Sequence, residues 1–253
     1  MKTIDKTTPV DPVIFALLYG ASGTGKTDFC GSLGALGKVL VIDIDHGSLT
    51  LRTSPRVKPY LKNIHIVSFD AFKDLDTAYK AIQKNDPENW NKLFGTEYGK
   101  VTDPFDWIVW DSWSELQWNM LQELRVKEGL SATALDFRKN IQIQHWGMLT
   151  DLNKLSIESL RNLKNVNQVF VMLETMTKDE LSKQIFGGPA FHGKMVYEMP
   201  GYFDIVVHAT TDVLGNHFMS TKAKGRWAAK TRLGPAQELK NGTASDIFKV
   251  VPA

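Results

Sequence analysis

A single cysteine stands in the 253 residues. Cys30 therefore has no intramolecular disulfide partner, and no Cys and His cluster shows zinc-ligand spacing, so the fold is expected to rest on packing alone, in a reducing, intracellular setting. Long apolar runs are missing too: the strongest, Val13 to Tyr19, is far short of the ~20 residues of a bilayer span, and no membrane partner is expected. The polar segment Met1 to Asp11 lacks the apolar region and small-residue cleavage site of a signal peptide. Net charge is scarce. The 30 basic and 28 acidic residues leave +2, so any nucleic-acid surface must be a local patch rather than a global field. Repeats, low-complexity tracts and Pro/Gly/Ser linkers are also absent, which points to one domain over 1–253. What is present is 43% hydrophobic residues. That suffices for a well-buried core and excludes a peptide hormone, a disordered scaffold or a coiled coil.

Apolar runs of strand length alternate with longer amphipathic stretches, the pattern of an α/β fold with a mainly parallel sheet, helices on both faces and a β-rich C-terminal end. Strands are expected at Val13–Leu18, Val39–Ile44, Ile64–Phe69, Asp106–Trp110, Gln168–Leu173, Phe203–Ala209, His217–Thr221 and Arg226–Thr231. Helices are expected at about Lys26–Ala35, Phe72–Gln83, Trp113–Lys127 and Met148–Leu163. Ser112 and Glu115 form a capping-box pair ahead of the third, and Leu116, Met120, Leu121 and Leu124 recur on its face. Two connections, Gly129–Gly147 and Glu174–Tyr202, are longer than ordinary turns and read as functional loops.

Gly20-Ala21-Ser22-Gly23-Thr24-Gly25-Lys26-Thr27 matches G-x-x-x-x-G-K-[ST] at every fixed position. Glycines let successive backbone N–H groups face one concavity, and the helix that follows adds its positive end, so Gly20, Ser22, Gly23, Thr24, Gly25, Lys26 and Thr27 are the expected nucleotide contacts. Lys26 would reach the β- and γ-phosphates of ATP while the Thr27 hydroxyl coordinates Mg²⁺. Asp111, at the end of the apolar strand Trp107 to Trp110, is the expected partner of the metal's water shell. Ser112 follows it where the AAA+ branch carries a catalytic glutamate.

The stretch Val41-Ile42-Asp43-Ile44-Asp45-His46 resembles a Phe-Ile-Asp-Ala-Glu-His stretch of RecA, with Asp45 at the place of the water-polarising glutamate. Aspartate is one methylene shorter, which implies slow turnover. Trp227 to Pro235 is similar to the K-x-R-x-G segment of DnaB-type helicases, which implies that Lys230 and Arg232 act on the γ-phosphate of a neighbouring subunit. Alternation on a strand puts those two on one face. A basic edge hairpin is the plainer alternative. Five Lys or Arg and no Asp or Glu lie between Asn216 and Pro235.

Val169 to Glu174 is similar to the RecA strand that ends in an Asn-Gln phosphate sensor. Glu174 falls on the glutamine, where an ionised acid cannot donate, leaving Thr175 as the alternative. The segment from Lys183 to Asp204, with Gly187-Gly188, resembles the DNA-binding loop of RecA. The candidates there are Lys178, Lys183 and Lys194 for phosphates and Phe186, Phe191 and His192 for stacking, against a surface loop with incidental aromatics. The connection after Gly129 offers Arg138, Lys139, His145 and Trp146, with Trp146 alternatively a staple for the next helix.

In order along the chain these features resemble a RecA-like P-loop ATPase of the short phage-encoded type, which includes the Sak-type single-strand annealing proteins. The resemblance implies an ATPase that uses ATP and Mg²⁺ and acts on single-stranded DNA in recombination or replication. It implies a ring or filament of identical subunits in the cytoplasm of an infected bacterium. A single-strand-binding protein or a replicative helicase would be a further partner. A nucleotide-gated loader or mediator is the alternative of another class. A small-metabolite kinase fits less well, because two strands separate the glycine loop from Asp111 and no Arg-rich lid follows.

Overall fold

The computed structural model describes residues 13–69, 71–72, 74–94, 100–127, 141–178 and 185–248. Strand β1 (Phe15–Gly20) runs into helix α1 (Lys26–Gly31), which a 3-10 turn over Ser32–Ala35 prolongs. Next come β2 (Val39–Asp43), α2 (Leu49–Thr53), β3 (Ile64–Ser68), α3 (Asp74–Lys84), α4 (Pro87–Phe94), β4 (Trp107–Asp111) and α5 (Trp113–Lys127). Then follow α6 (Ile143–Arg161), β5 (Asn167–Met172), β6 (Glu174–Lys178), β7 (Ile185–Pro189) and α7 (Met195–Glu198). The described chain ends through β8 (Ile205–Thr211), β9 (His217–Ser220), β10 (Lys230–Thr231), β11 (Glu238–Lys240) and α8 (Ala244–Phe248).

The main sheet has the order β11-β9-β8-β1-β5-β4-β2-β3, with β10 also paired to β8. From β8 to β3 every neighbour is parallel, while β9 and β10 run antiparallel to β8 and β11 antiparallel to β9. This is the expected α/β architecture with its β-rich end. A parallel sheet brings all its strand ends to one edge, so Gly20, Asp43, Asp111 and Met172 share an edge although they lie far apart in sequence.

Strand alternation sends the side chains into two cores. Phe15, Leu17, Tyr19, Ile42, Ile108, Trp110, Phe170 and Met172 pack with α5 and α6 on one face. Ala16, Leu18, Val41, Val109, Val171 and Val207 pack with Phe29, Leu33 and α8 on the other. Gln168 is fully buried in the middle of the sheet, donating to the Leu160 carbonyl at 2.8 Å and accepting from Trp110 Nε1 at 3.3 Å.

Three expectations change. Helix α6 starts at Ile143 rather than Met148, because Gln142 and His145 close a capping box around its first turn. The expected strand Arg226–Thr231 shrinks to Lys230–Thr231, with only single bridges at Trp227 before it. The connection from Glu174 to Tyr202 is not a plain loop: β6 and β7 pair in a separate two-stranded antiparallel sheet, and α7 follows.

Asn85 ends α3 in the left-handed region at φ 44°, which asparagine tolerates better than most residues. Its buried amide accepts from Phe105 N at 3.0 Å and Trp90 Nε1 at 3.1 Å and donates to Phe105 O at 2.8 Å, fixing α4 and the approach to β4. Asn85→Ala removes all three bonds and leaves a side chain strained at positive φ. A loss of about 3 kcal/mol or more is expected, read as a lowered midpoint in urea unfolding, while Asn85→Gly loses less because only the bonds are missing. Equal losses in the two variants would remove the backbone part of this account.

Candidate functional site

The edge where the parallel strands end holds the glycine loop. Gly23 and Gly25 have φ of 78° and 80°, the left-handed backbone that lets the loop curl back over β1. Gly20 is pressed against the Ala209 carbonyl of β8, so a Cβ there would meet backbone. Thr24 is buried and its hydroxyl donates to the Ala21 carbonyl at 2.8 Å, pinning the turn from inside, while Ser22 is exposed at its tip. Gly25 precedes α1 with no side chain capping the first amides of the helix. Those uncapped amides and the loop stand where the motif calls for an anion cradle.

Lys26 folds back over this loop, donating to the Gly20 and Ala21 carbonyls at 2.9 and 2.7 Å. Burial holds its ammonium below the ordinary lysine range, opposed by the carboxylates of Asp111 and Glu174. Thr27 Oγ1 donates to Asp111 Oδ2 at 2.8 Å, joining the loop to the end of β4 across the intervening β5. The Asp111 carboxyl is pushed up to about 7, first by burial and then by the Asp45 and Asp43 charges, against the Thr27 hydrogen bond.

The two acids after β2 separate in role. Asp43 is buried and accepts from the amides of Gly47 and Ser48 at 3.0 and 3.3 Å, fixing the turn into α2. Asp45 is exposed and accepts from Gly47 N at 3.0 Å, beside His46 at φ 59°. Among the described residues no group of three or more His, Cys, Asp or Glu could hold a metal. A cation at Thr27 and Asp111 would therefore draw its other ligands from water and phosphate oxygens, as Mg²⁺ commonly does. The residues fit the pair: a cradle for phosphates, a hydroxyl and a buried carboxyl in contact for the metal, and a lysine whose held carbonyls a phosphate can replace.

Other expected site residues lie elsewhere. Lys230 pairs with Val206, which pairs with Leu17, three residues before Gly20. That is about 10 Å down the strands from the loop. Lys230 and Arg232 do share a face, both reaching the Gly201 carbonyl at 3.4 Å. Arg232 also pairs with Asp204 at 2.9 Å, and Lys224 with Glu238 at 3.5 Å, so the basic end has counter-charges that its local sequence lacks. Both candidate fingers thus stand away from their own chain's glycine loop.

Of the expected DNA contacts, Phe191 is wrong as a stacking face: it is 3% exposed and belongs to the core under α5 and α6. Lys178, His192 and Lys194 are exposed, and Phe186 is half-buried against Tyr197. Trp146 is partly buried against the core, as a staple would be, and stacks on His192 at 3.9 Å between ring centres. Lys183, Arg138 and Lys139 lie outside the described residues.

Histidines that carry no sequence signal complete the edge. His217 of β9 lies against Gly25, within 3.2 Å of where a Cβ would stand. His208 of β8 lies against both Tyr19 and Trp227, at 4.8 and 4.7 Å, and its Nε2 meets Glu174 Oε2 at 3.1 Å. Burial holds the His208 imidazole below its usual range, so it is neutral at neutral pH, opposed in part by Glu174. Tyr19 reaches the Ala228 carbonyl at 2.5 Å.

A glycine loop, a Thr–Asp contact to a buried carboxyl and a mainly parallel sheet with helices on both faces define a P-loop nucleotide-binding ATPase core. The family model of the AAA domain matches residues 14–233, and the chain belongs to that family of ATPases, which use ATP and Mg²⁺. No curated protein matches the sequence. Among the described residues no helix is long and apolar enough to cross a membrane.

The buried acid makes a prediction about the nucleotide-free protein. Its carboxyl ionises near pH 4 in the unfolded chain and at about 7 in the folded one. Between those values the folded state holds the extra proton, so stability falls as pH rises through the window and levels off above it. Asp111→Asn cannot ionise but can still accept from Thr27. Urea midpoints of the wild type should fall relative to the variant from about pH 4 to about pH 7; parallel curves would contradict the raised carboxyl.

Proposed function

We propose that this protein is a RecA-like ATPase that assembles as a ring or filament on single-stranded DNA and promotes annealing or strand exchange, as the short phage-encoded proteins of this type do. The observation that carries the reading is the β6–β7 hairpin. It is rooted at Glu174, directly after the strand that separates the glycine loop from Asp111. Its backbone is stitched to the basic C-terminal segment by Gly187 N to Arg226 O at 2.9 Å and Ala228 N to Gly187 O at 3.3 Å. Lys178 on the hairpin, Lys194 beyond it and the exposed Lys222, Lys224 and Arg226 supply cations, and Phe186, His192 and Trp227 supply rings. Cations interleaved with aromatic faces suit a single strand, whose phosphates need charge and whose bases need stacking partners.

The position of Lys230 and Arg232 supports action in trans. A side chain that lies down the strands from its own loop and on exposed surface can meet the γ-phosphate only on a second subunit, where it would offset the charge developed in phosphoryl transfer. Asp45 would polarise the attacking water. Aspartate is one methylene shorter than glutamate, and its carboxylate is engaged by the Gly47 amide, which favours slow turnover; a nucleotide-gated helicase loader or recombination mediator would show the same.

ATPase rate with and without single-stranded DNA separates these readings. Stimulation by DNA, weakening as salt rises through counterion release, is the expected result; binding of DNA with an unchanged rate would favour the loader, and no association at low salt with ATP present would end the DNA reading. Lys26→Ala should abolish nucleotide-dependent behaviour. Mixing Lys26→Ala with Arg232→Ala subunits should restore part of the lost activity, because each mixed interface can join an intact loop to an intact finger. A strictly additive loss would mark the basic segment as a protected sheet edge instead.

A further inference from the structure

A cleft of about 290 Å³ opens at the root of the hairpin, between α5 and α6. Its size is at the small end of ligand pockets, room for one ring system rather than a helix or a folded partner. Gln117 lines it and is 7% exposed. The Gln117 Nε2 group donates to the Ala190 carbonyl at 3.0 Å, and this sets the orientation of the amide, leaving Oε1 as an acceptor with no partner. A buried acceptor without a donor is unfavourable by about 1–3 kcal/mol. That oxygen is shielded from water, so a ligand reaches it only with a shift of the amide, and one that brings an N–H then removes the penalty.

The cleft also has aromatic lining. Trp146 from α6 and His192 from the segment after β7 both line the cleft and stack on each other at 3.9 Å and 16° between planes. His192 is exposed, so a flat ring can extend the stack from the solvent side. Lys194, two residues on, is an exposed cation. Acceptor, stacking rings and nearby cation are what a base turned out of a strand requires.

We propose that this cleft captures one unstacked nucleobase of the bound single strand, of the class that carries an exocyclic amine (adenine, cytosine or guanine, not thymine), with the amine donating to Gln117 Oε1 and the ring stacking on the Trp146–His192 pair. The proposal rests on the single-stranded DNA reading and adds to it a base-dependent contact. The base would lie against Ser114 and Leu173, which also line the cleft and are joined by the Leu173 N–H donating to Ser114 Oγ at 2.9 Å.

The test uses the full chain with ATP at low salt and two short oligothymidines, one with a central 2-aminopurine and one with an abasic site in its place. Each carries a terminal dye for anisotropy. The wild type is expected to bind the 2-aminopurine strand about fivefold more tightly and to quench its fluorescence by about half or more through stacking. Gln117→Leu should erase the preference while still binding the abasic strand. His192→Ala, a change on exposed surface, should remove most of the quench, and it decides the matter should Gln117→Leu fail to fold. Equal affinity for the two strands with no quench, or a full quench and preference retained in His192→Ala, overturns base capture and leaves strand binding standing. If neither strand binds, the single-stranded DNA reading falls, and the capture with it.

Discussion

The hydrogen bond from Thr27 to Asp111 is the contact on which the site depends. It joins two strands that are not neighbours, since β5 lies between β1 and β4. Such a bond forms only if the parallel registers are held from end to end, because a one-residue slip would exchange the faces of every side chain on the slipped strand. The buried alternation on both faces supplies that constraint. Phe15, Leu17 and Tyr19 answer to one core and Ala16 and Leu18 to the other, so β1 has one register in which Gly20 arrives beside the end of β4.

The same contact sets the charge state of the edge. Asp43, Asp45 and Asp111 converge there, and Asp111, the most enclosed member, takes up a proton because water is excluded and two like charges lie near. Lys26 is withdrawn onto the loop carbonyls. A nucleotide bound here with a divalent cation would invert this arrangement: the cation would favour ionised Asp111, and phosphates would take the place of the carbonyls at Lys26. Occupancy would then draw a proton from Asp111 and move Lys26 off the loop carbonyls.

The glycine loop, the positions of the long strands along the chain and helix α5 were legible from motif and periodicity, since each is written in contiguous residues. Other elements had signals of the same local kind that were passed over. Asp86-Pro87 is the cap and first residue of α4, with Asp86 Oδ1 accepting from Asn89 N at 2.8 Å. Thr243 with Asp246 three residues on is the corresponding signature for α8, their groups meeting at 2.7 Å. The hairpin was hidden because Gly187, Gly188 and Pro189 read as breakers, whereas Gly187 is required for close approach to the Trp227 ring. Phe191 was misread for a related reason. Its neighbours His192, Gly193 and Lys194 are exposed, and only the fold turns that one ring inward. His208, His217 and Gln117 had no signal at all, because their partners come from elsewhere in the chain.

Those long-range partners connect the nucleotide edge to the hairpin. Tyr19 is the residue before Gly20; its ring lies on His208, His208 lies on Trp227, and Trp227 bridges Gly187 of β7. On the other side Glu174, the first residue of β6, is held by His208 and is near enough to act on the charge of Lys26. Stacked rings at van der Waals distance in a close-packed interior are not independently movable. A change at the loop that shifts Tyr19 or draws Lys26 away from Glu174 must therefore be taken up by β6, β7 or the 226–228 segment, the elements that carry the exposed cations. If a single strand of DNA binds these elements as proposed, linkage would make the relation reciprocal: whatever the strand gains in affinity when nucleotide is bound, nucleotide would gain when the strand is bound. The His208 ring is the common element of both routes, and its neutral form at neutral pH keeps the stack apolar while leaving one nitrogen to position Glu174.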